Sequence, residues 1–207
     1  MISHLQLAQL SSDIYDESKN SQWDSYHCEN GVVWALKRIG AVDCYIFRGS
    51  DSIEDWIVDL EALPIYVIGL GFVHSGFYEF MVGVAECVKI LSNGRSICLG
   101  GHSLGGARPQ MVAAILTKDG VKVSQVTTFG APRIGFSKVC DSLSGVDCTV
   151  YVNGRDPVPQ VPRIIPFWTH PGNIVALNEK PSSDEVLDIG WHSIDLYVKG
   201  VKKLILS

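Results

Sequence analysis

The sequence predicts a three-layer α/β fold, in which a mostly parallel sheet is covered on both faces by helices. Apolar residues recur at spacings of three and four in three segments, which indicates amphipathic helices. Between them lie short apolar runs such as Ile97-Cys98-Leu99, which are continuous rather than alternating, as is typical of buried parallel strands. Strands and helices alternate in the second half of the chain, which favours βαβ units.

The three helical segments are Phe77 to Leu91, Ile194 to Ile205 and, with a weaker pattern, Leu5 to Leu10. A hairpin is expected to turn near Gly40 and join the first two predicted strands. The prolines between Pro157 and Pro171 predict an irregular loop. The predicted strands cover Val32–Leu36, Val42–Phe47, Ser96–Leu99, Val121–Phe129, Cys148–Val152 and Asn173–Leu177.

The composition favours one globular domain over residues 1–207. The chain is 46% hydrophobic and 19% charged, enough to bury one core. Its net charge of −5 is scattered without long runs, which disfavours a nucleic-acid partner. The six cysteines form no CxxC pair and no cluster with histidine, so a zinc site is disfavoured. Cys44, Cys87 and Cys98 are expected to be buried thiols, although the even count leaves disulfides open.

The N-terminal segment lacks the features of a secretion signal. The first 18 residues contain no Lys or Arg, and polar and apolar residues alternate too often for a signal-peptide core. This favours an intracellular protein, although a Met that replaces a removed leader gives the same pattern. The longest apolar run, Ala62 to Val73, is shorter than the about 20 residues of a spanning helix.

A candidate nucleophile lies between a predicted strand and a helix. Gly101-His102-Ser103-Leu104-Gly105 matches the Gly-x-Ser-x-Gly pattern of a nucleophile elbow, which requires this strand-turn-helix setting. The N–H of Leu104, at the helix N-terminus, is placed to stabilise an oxyanion. A chance match among 20 glycines is one alternative. A phosphate loop is another, but it lacks the required lysine. The elbow predicts an α/β-hydrolase with Ser103 as its nucleophile.

The acid and the base follow the nucleophile in this fold, in the order Ser, Asp, His. Six aspartates lie between Ser103 and the last histidine, and Asp156 alone follows closely on a predicted strand. An ordinary turn aspartate is the alternative. Two histidines lie downstream of it, and we prefer His192, on a turn before the final helix, as the base. His170 is the rival base, or else a structural histidine. His102 is a poor base because it adjoins the nucleophile.

Five motifs in order resemble those of the class 3 (fungal-type) lipases, a family of triacylglycerol lipases and related esterases. Together they extend over about Tyr15 to His192. The resemblance implies the α/β-hydrolase fold and the triad Ser103, Asp156 and His192. The motifs are Ile46–Ser50 with Asp55-Trp56 and Asp59, Val73–Phe77, Gly101–Gly106, Thr128–Gly135 and Val152–Pro159.

The resemblance also implies further site residues. Ser50 falls on the family's oxyanion-hole residue, beside Leu104, and His170 falls on a histidine that is not catalytic. The segment Ile53 to Gly71 would be a lid, in which Ile53, Trp56, Ile57 and Leu60 contact the substrate. A core strand or helix is the alternative for this apolar segment. The chain differs from the family in being compact and in having a short segment after His170. The resemblance therefore does not identify its acyl and alcohol pockets.

The predicted function is therefore hydrolysis of a lipid or other ester through an acyl-enzyme, with transient contact to a lipid interface. This mechanism requires neither a metal nor a cofactor, so we expect neither. Phospholipase A1 or a small-ester esterase is the runner-up. The triad also serves acyltransferases, amidases and peptidases, and a non-catalytic lipid-binding or protein-binding member of the fold is a hypothesis of another class.

Overall fold

The computed structural model describes residues 1–50, 63–163, 165–181 and 188–206. Within them, seven strands form the central sheet, in the order β1-β2-β3-β6-β7-β8-β9. The first three strands are antiparallel, and β3 to β9 are parallel within this sheet. The strands are β1 Ser25–Glu29, β2 Val32–Ile39, β3 Val42–Phe47, β6 Ser96–His102, β7 Val123–Phe129, β8 Asp147–Asn153 and β9 Asn173–Leu177.

Helices cover both faces of this sheet, which confirms the predicted three-layer α/β architecture. Two of them, α2 and α3, share one core with the sheet, and α1 and α5 share the other. A separate antiparallel hairpin joins β4 Pro64–Val67 to β5 Gly71–His74. The helices are α1 His4–Asp13, α2 Ser75–Ser92, α3 Leu104–Lys118, α4 Ser137–Asp141 and α5 Ile194–Leu206, with 3-10 turns at Glu17–Gln22, Val158–Gln160 and Asp188–His192.

Successive side chains of β3 point to opposite faces of the sheet and so contribute to both cores. Phe47 packs with Met111 of α3 on one face, whereas Ile46 packs with Leu7 of α1 and Tyr197 of α5 on the other, and all five side chains are fully buried. Burial of each large apolar side chain contributes about 1.5–3 kcal/mol, so the elements that carry the site are fixed from both sides.

The differences from the predicted elements lie at the edge strand and in the segment predicted as a lid. Strand β1 is half-exposed and mixed in polarity, so it gives no periodic signal. Strands β4 and β5 lie in or next to that segment. The prediction that Cys87 is buried is wrong, because the buried stripe of α2 passes through Ala85 and Val88 and leaves Cys87 exposed. All six cysteines are free thiols.

Within the same described ranges, no helix is both long enough and apolar enough to cross a membrane.

Candidate active site

Ser103 occupies a tight turn between β6 and α3, which confirms the predicted strand-turn-helix setting. Its backbone is left-handed, with φ 61° and ψ −133°, and its N–H donates to the carbonyl of Phe129 at 2.9 Å. A Cβ on Gly101 would lie 1.9 Å from the carbonyl oxygen of Gly105, so this close approach requires glycine. The turn therefore holds the serine at the carboxyl edge of the sheet in a strained conformation.

Asp156 lies just beyond β8 at the same edge of the sheet, and it is 3% exposed. One carboxylate oxygen accepts the N–H of Val158 at 2.9 Å. The other accepts the Tyr197 hydroxyl at 2.5 Å and Nδ1 of His192 at 2.7 Å. Burial, followed by the negative charge of Asp156, raises the pKa of Tyr197 well above its ordinary value, so that hydroxyl stays a donor. The carboxylate is thus fixed by three donors.

His192 ends the 3-10 turn that precedes α5. Because a carboxylate only accepts hydrogen bonds, the contact with Asp156 assigns the proton to Nδ1 and leaves Nε2 as an acceptor. A Cβ on Gly130 would lie 2.8 Å from Cε1 of His192 and 3.0 Å from Oδ2 of Asp156, and Gly130 directly follows Phe129, which binds the Ser103 N–H. The fold therefore gathers Ser103, Asp156 and His192 at one place.

Two side-chain atoms of these three residues form no hydrogen bond within the described part of the chain. Nε2 of His192 and Oγ of Ser103 are both buried without a hydrogen-bond partner there. Nδ1 of His170 is likewise buried without a partner there, so a missing partner alone does not mark a base. His192 differs in that Asp156 orients its ring at the edge of the sheet that carries Ser103.

His102 connects His192 to the loop after β3. The Gly49 N–H donates to the Tyr15 hydroxyl at 3.0 Å, which donates to Nδ1 of His102 at 3.1 Å. Nε2 of His102 donates to the backbone carbonyl of His192 at 2.7 Å. Burial, and then the neighbouring His192, lower the pKa of His102 well below its ordinary value, so the ring is neutral. Its two ring nitrogens are engaged, as expected of a histidine that is not the base.

The two predicted oxyanion groups lie in the loop after β3 and at the first residue of α3. Phe47 and Gly101 are paired in parallel register, so Ser50 and Ser103 follow the ends of adjacent strands. Ser50 lines an open cavity of about 330 Å³ together with His192. Leu104 is the first residue of α3, where backbone N–H groups have no partner within the helix. The roles of Ser50 and Leu104 stay predictions.

His170, the alternative base, forms its hydrogen bond in the proline-rich loop. Nε2 of His170 donates to the carbonyl of Pro159 at 2.7 Å, and burial lowers the pKa of His170 to about 4. A neutral histidine held in the proline-rich loop fits a structural role.

His170 is expected to make the protein sensitive to acid. Its folded pKa lies below the ordinary value of 6.5, so the unfolded state binds the extra proton between these values. Its contribution to stability is present above pH 6.5 and declines toward pH 4. We expect His170→Gln to reduce the loss of unfolding free energy between pH 7.5 and pH 5 by about 2 kcal/mol, measured by urea denaturation. An unchanged loss would contradict a buried neutral His170.

Sequence reasoning missed the residues that support the triad. Asn153 donates to the carbonyl of Trp191 at 3.0 Å, which fixes the segment before His192. Tyr197 lies within the predicted helical segment Ile194 to Ile205, and a hydroxyl on a buried helix stripe signals a polar partner.

The predicted lid residues Ile53, Trp56, Ile57 and Leu60 lie outside the described residues, so their role stays a prediction. The rest of that segment begins with Leu63, forms β4 and a turn, and reaches the start of β5. Its side chains differ sharply in exposure: Ile68 is 84% exposed, whereas Leu70 is fully buried. Leu70 thus belongs to the core, and the lid role of the segment stays a prediction.

Several known proteins are similar to this chain in sequence. A family model described as Lipase (class 3) matches residues 44–165, more than half of the chain. Secreted mono- and diacylglycerol lipase 1 of Fusarium solani is 33% identical over 59% of this chain and 40% of its own length. Lipase ZK262.3 of Caenorhabditis elegans is 31% identical over 75% of this chain and 48% of its own length. The chain thus spans less than half the length of these relatives.

Solved structures give the same fold. The crystal structure of a lipase from Rhizopus microsporus var. chinensis matches with a TM-score of 0.73 and 20% identity, over 86% of this chain and 74% of that one. This likeness establishes the α/β-hydrolase fold.

Proposed function

Because the chain belongs to the class 3 lipase family, we propose that it is a serine hydrolase that cleaves carboxylic esters of lipids. The observation that carries this proposal is the unpartnered Nε2 of His192, whose Nδ1 is held by Asp156, beside the elbow that carries Ser103. Nucleophilic acyl transfer requires such a serine, base and orienting carboxylate.

Acylation begins when Nε2 of His192 takes the Ser103 proton and Oγ attacks the ester carbonyl carbon. The resulting imidazolium is stabilised by Asp156, which is held by the Tyr197 hydroxyl and the Val158 N–H. The Leu104 N–H and Ser50 stabilise the negative oxygen of the tetrahedral intermediate. His192 then returns the proton to the alcohol oxygen as the carbon–oxygen bond breaks, which leaves an acyl group on Ser103.

Deacylation repeats these steps with water. His192 removes a proton from water, the hydroxide attacks the acyl carbon, and the proton returns to Oγ of Ser103 as the fatty acid leaves. The chemistry runs on protein groups alone.

An exposed aromatic surface supports transient contact with a lipid interface. The rings of Tyr66 and Phe72 are 5.3 Å apart, and Phe136 lies 5.4 Å from Phe72 and 5.8 Å from Phe167. Tyr66 and Phe167 are 60% and 67% exposed. Clustered exposed aromatics mark interaction surfaces, and a lipid surface suits an enzyme of this family.

Acyl esters of glycerolipids, neutral or phosphate-bearing, are the substrate class that we propose, because both relatives described above are named lipases, one of them for mono- and diacylglycerols. Soluble short-chain esters are the alternative.

The test is fatty-acid release from emulsified triacylglycerol, diacylglycerol, phospholipid vesicles and a soluble butyrate ester, with equal amounts of enzyme. We expect hydrolysis of at least one lipid ester. Absence of release from every ester, by protein shown to be folded, would reject the proposal. Hydrolysis of the soluble ester alone would reject the lipid substrate and the interface role.

A further inference from the structure

Arg108 connects the nucleophile helix to the oxyanion loop. It lies in α3, five residues beyond Ser103, and its guanidinium donates to the carbonyl of Arg48 at 3.0 Å and to that of Gly31 at 3.2 Å. Arg48 follows the end of β3 and precedes Ser50 by two residues. The guanidinium therefore holds the backbone two residues before Ser50.

The positive charge of Arg108 has no anionic partner in the described part of the chain. The ion pairs found there involve other cations, and both hydrogen bonds of Arg108 go to neutral carbonyls. A guanidinium has five N–H donors, so these two bonds leave donors unused. Burial lowers the pKa of Arg108 to about 10, and the group stays charged at neutral pH. The guanidinium is half-buried, so the donors that it leaves unused can reach an anion bound in the adjoining cavity.

Arg108 lines a cavity that begins at the elbow. This cavity of about 180 Å³ is also lined by Leu104, His74 and apolar residues of α2 such as Phe77. A second cavity of about 210 Å³ shares Asn30, Val32 and Phe80 with it, so the two form one groove. Among the described residues, Glu29 alone is acidic in the lining, and it lies in the second cavity.

We propose that Arg108 binds a phosphate group of the substrate and so selects phosphate-bearing glycerolipid esters over neutral ones. The proposal rests on the proposed function and names its substrate class. In this arrangement the phosphate meets the guanidinium at the first cavity, the ester lies at Ser103, and an apolar chain follows the groove past Val32 and Phe80. Arginine suits this task because its planar fork matches phosphate oxygens with paired, charge-assisted hydrogen bonds.

A purely structural role for Arg108 makes a different prediction. If the guanidinium only holds the Arg48 and Gly31 carbonyls, its loss disturbs the oxyanion loop and slows every ester alike. A phosphate-binding role changes the ratio between a phosphate-bearing ester and its neutral counterpart. The ratio therefore separates the two roles.

The experiment compares dioctanoyl phosphatidic acid with dioctanoylglycerol, both below their critical micelle concentrations, since they share acyl chains and differ in the phosphate. For Arg108→Met we expect kcat/KM to fall about 10- to 100-fold more for the phosphatidic acid than for the diacylglycerol, because the charge-assisted hydrogen bonds to the phosphate are lost. Arg108→Lys should retain part of the preference. The control Lys122→Met removes a positive charge from another cavity, bounded by Ser96 and Val121 where β6 and β7 begin, and should leave the ratio unchanged. An equal fall for both esters overturns the proposal.

Binding to Ser103→Ala separates this proposal from the proposed function. We expect dioctanoyl phosphatidic acid to bind Ser103→Ala at least 10-fold more tightly than dioctanoylglycerol, and this difference to vanish in Ser103→Ala with Arg108→Met, with both variants shown to be folded by thermal melting. This result together with no hydrolysis by the wild type would reject the function and keep the site. Equal binding of the two lipids, or binding of inorganic phosphate as tight as that of the phosphatidic acid, overturns the lipid site.

Discussion

His192→Ala is expected to lower kcat for ester hydrolysis by about 10⁴- to 10⁶-fold, as for loss of the base in other serine triads. Its Nδ1 is bonded to Asp156 and its Nε2 is unpartnered, so removal of the side chain eliminates both the proposed acceptor of the Ser103 proton and the acid that protonates the leaving alcohol. The measurement is the initial rate on the best lipid ester, with binding checked separately so that a folding defect is not counted as loss of chemistry.

His170 provides the matched control. It is also a histidine downstream of Asp156, but it is half-buried and its Nε2 is bound to the Pro159 carbonyl. His170→Ala should leave kcat within about threefold of wild type at neutral pH, since it removes no group of the proposed chemistry. Full activity in His192→Ala together with loss in His170→Ala would move the base to His170.

Ser103→Ala is expected to lower kcat by about 10⁶-fold, because no covalent intermediate can form without Oγ. A small residual rate above that of water is expected, since the oxyanion donors remain in place. Alanine tolerates the turn of Ser103 about as well as serine does, so the variant should fold. Undiminished hydrolysis by Ser103→Ala would show that another nucleophile acts.

The elbow and Asp156 could be predicted from the sequence because both depend on local order along the chain. Gly101 and Gly105 mark a close approach that backbone geometry demands, and Asp156 follows a strand end in a fold with a fixed order of residues. His192 is favoured over His170 because it lies on a turn before α5. The family resemblance favours the same residue.

The supporting residues could not be predicted because their roles depend on contacts between distant segments. Tyr197 occupies an apolar position of α5, and only the packing of α5 against β8 brings its hydroxyl to Asp156. Arg108 looks like a solvent-facing helix residue until α3 is packed beside the β1–β2 turn, where Gly31 accepts its hydrogen bond. Strands β4 and β5 share their apolar composition with the predicted lid, so composition could not separate them.

The most direct measurement of the central claim is labelling of the folded protein with a fluorophosphonate, followed by mass spectrometry of its peptides. This reagent phosphonylates a serine only when a base and an oxyanion site activate it. We predict one phosphonate per chain, on Ser103, with no labelling of Ser103→Ala or of denatured wild type. Failure of the folded wild type to react at Ser103, or equal labelling of Ser103→Ala, would contradict the assignment of Ser103 as an activated nucleophile.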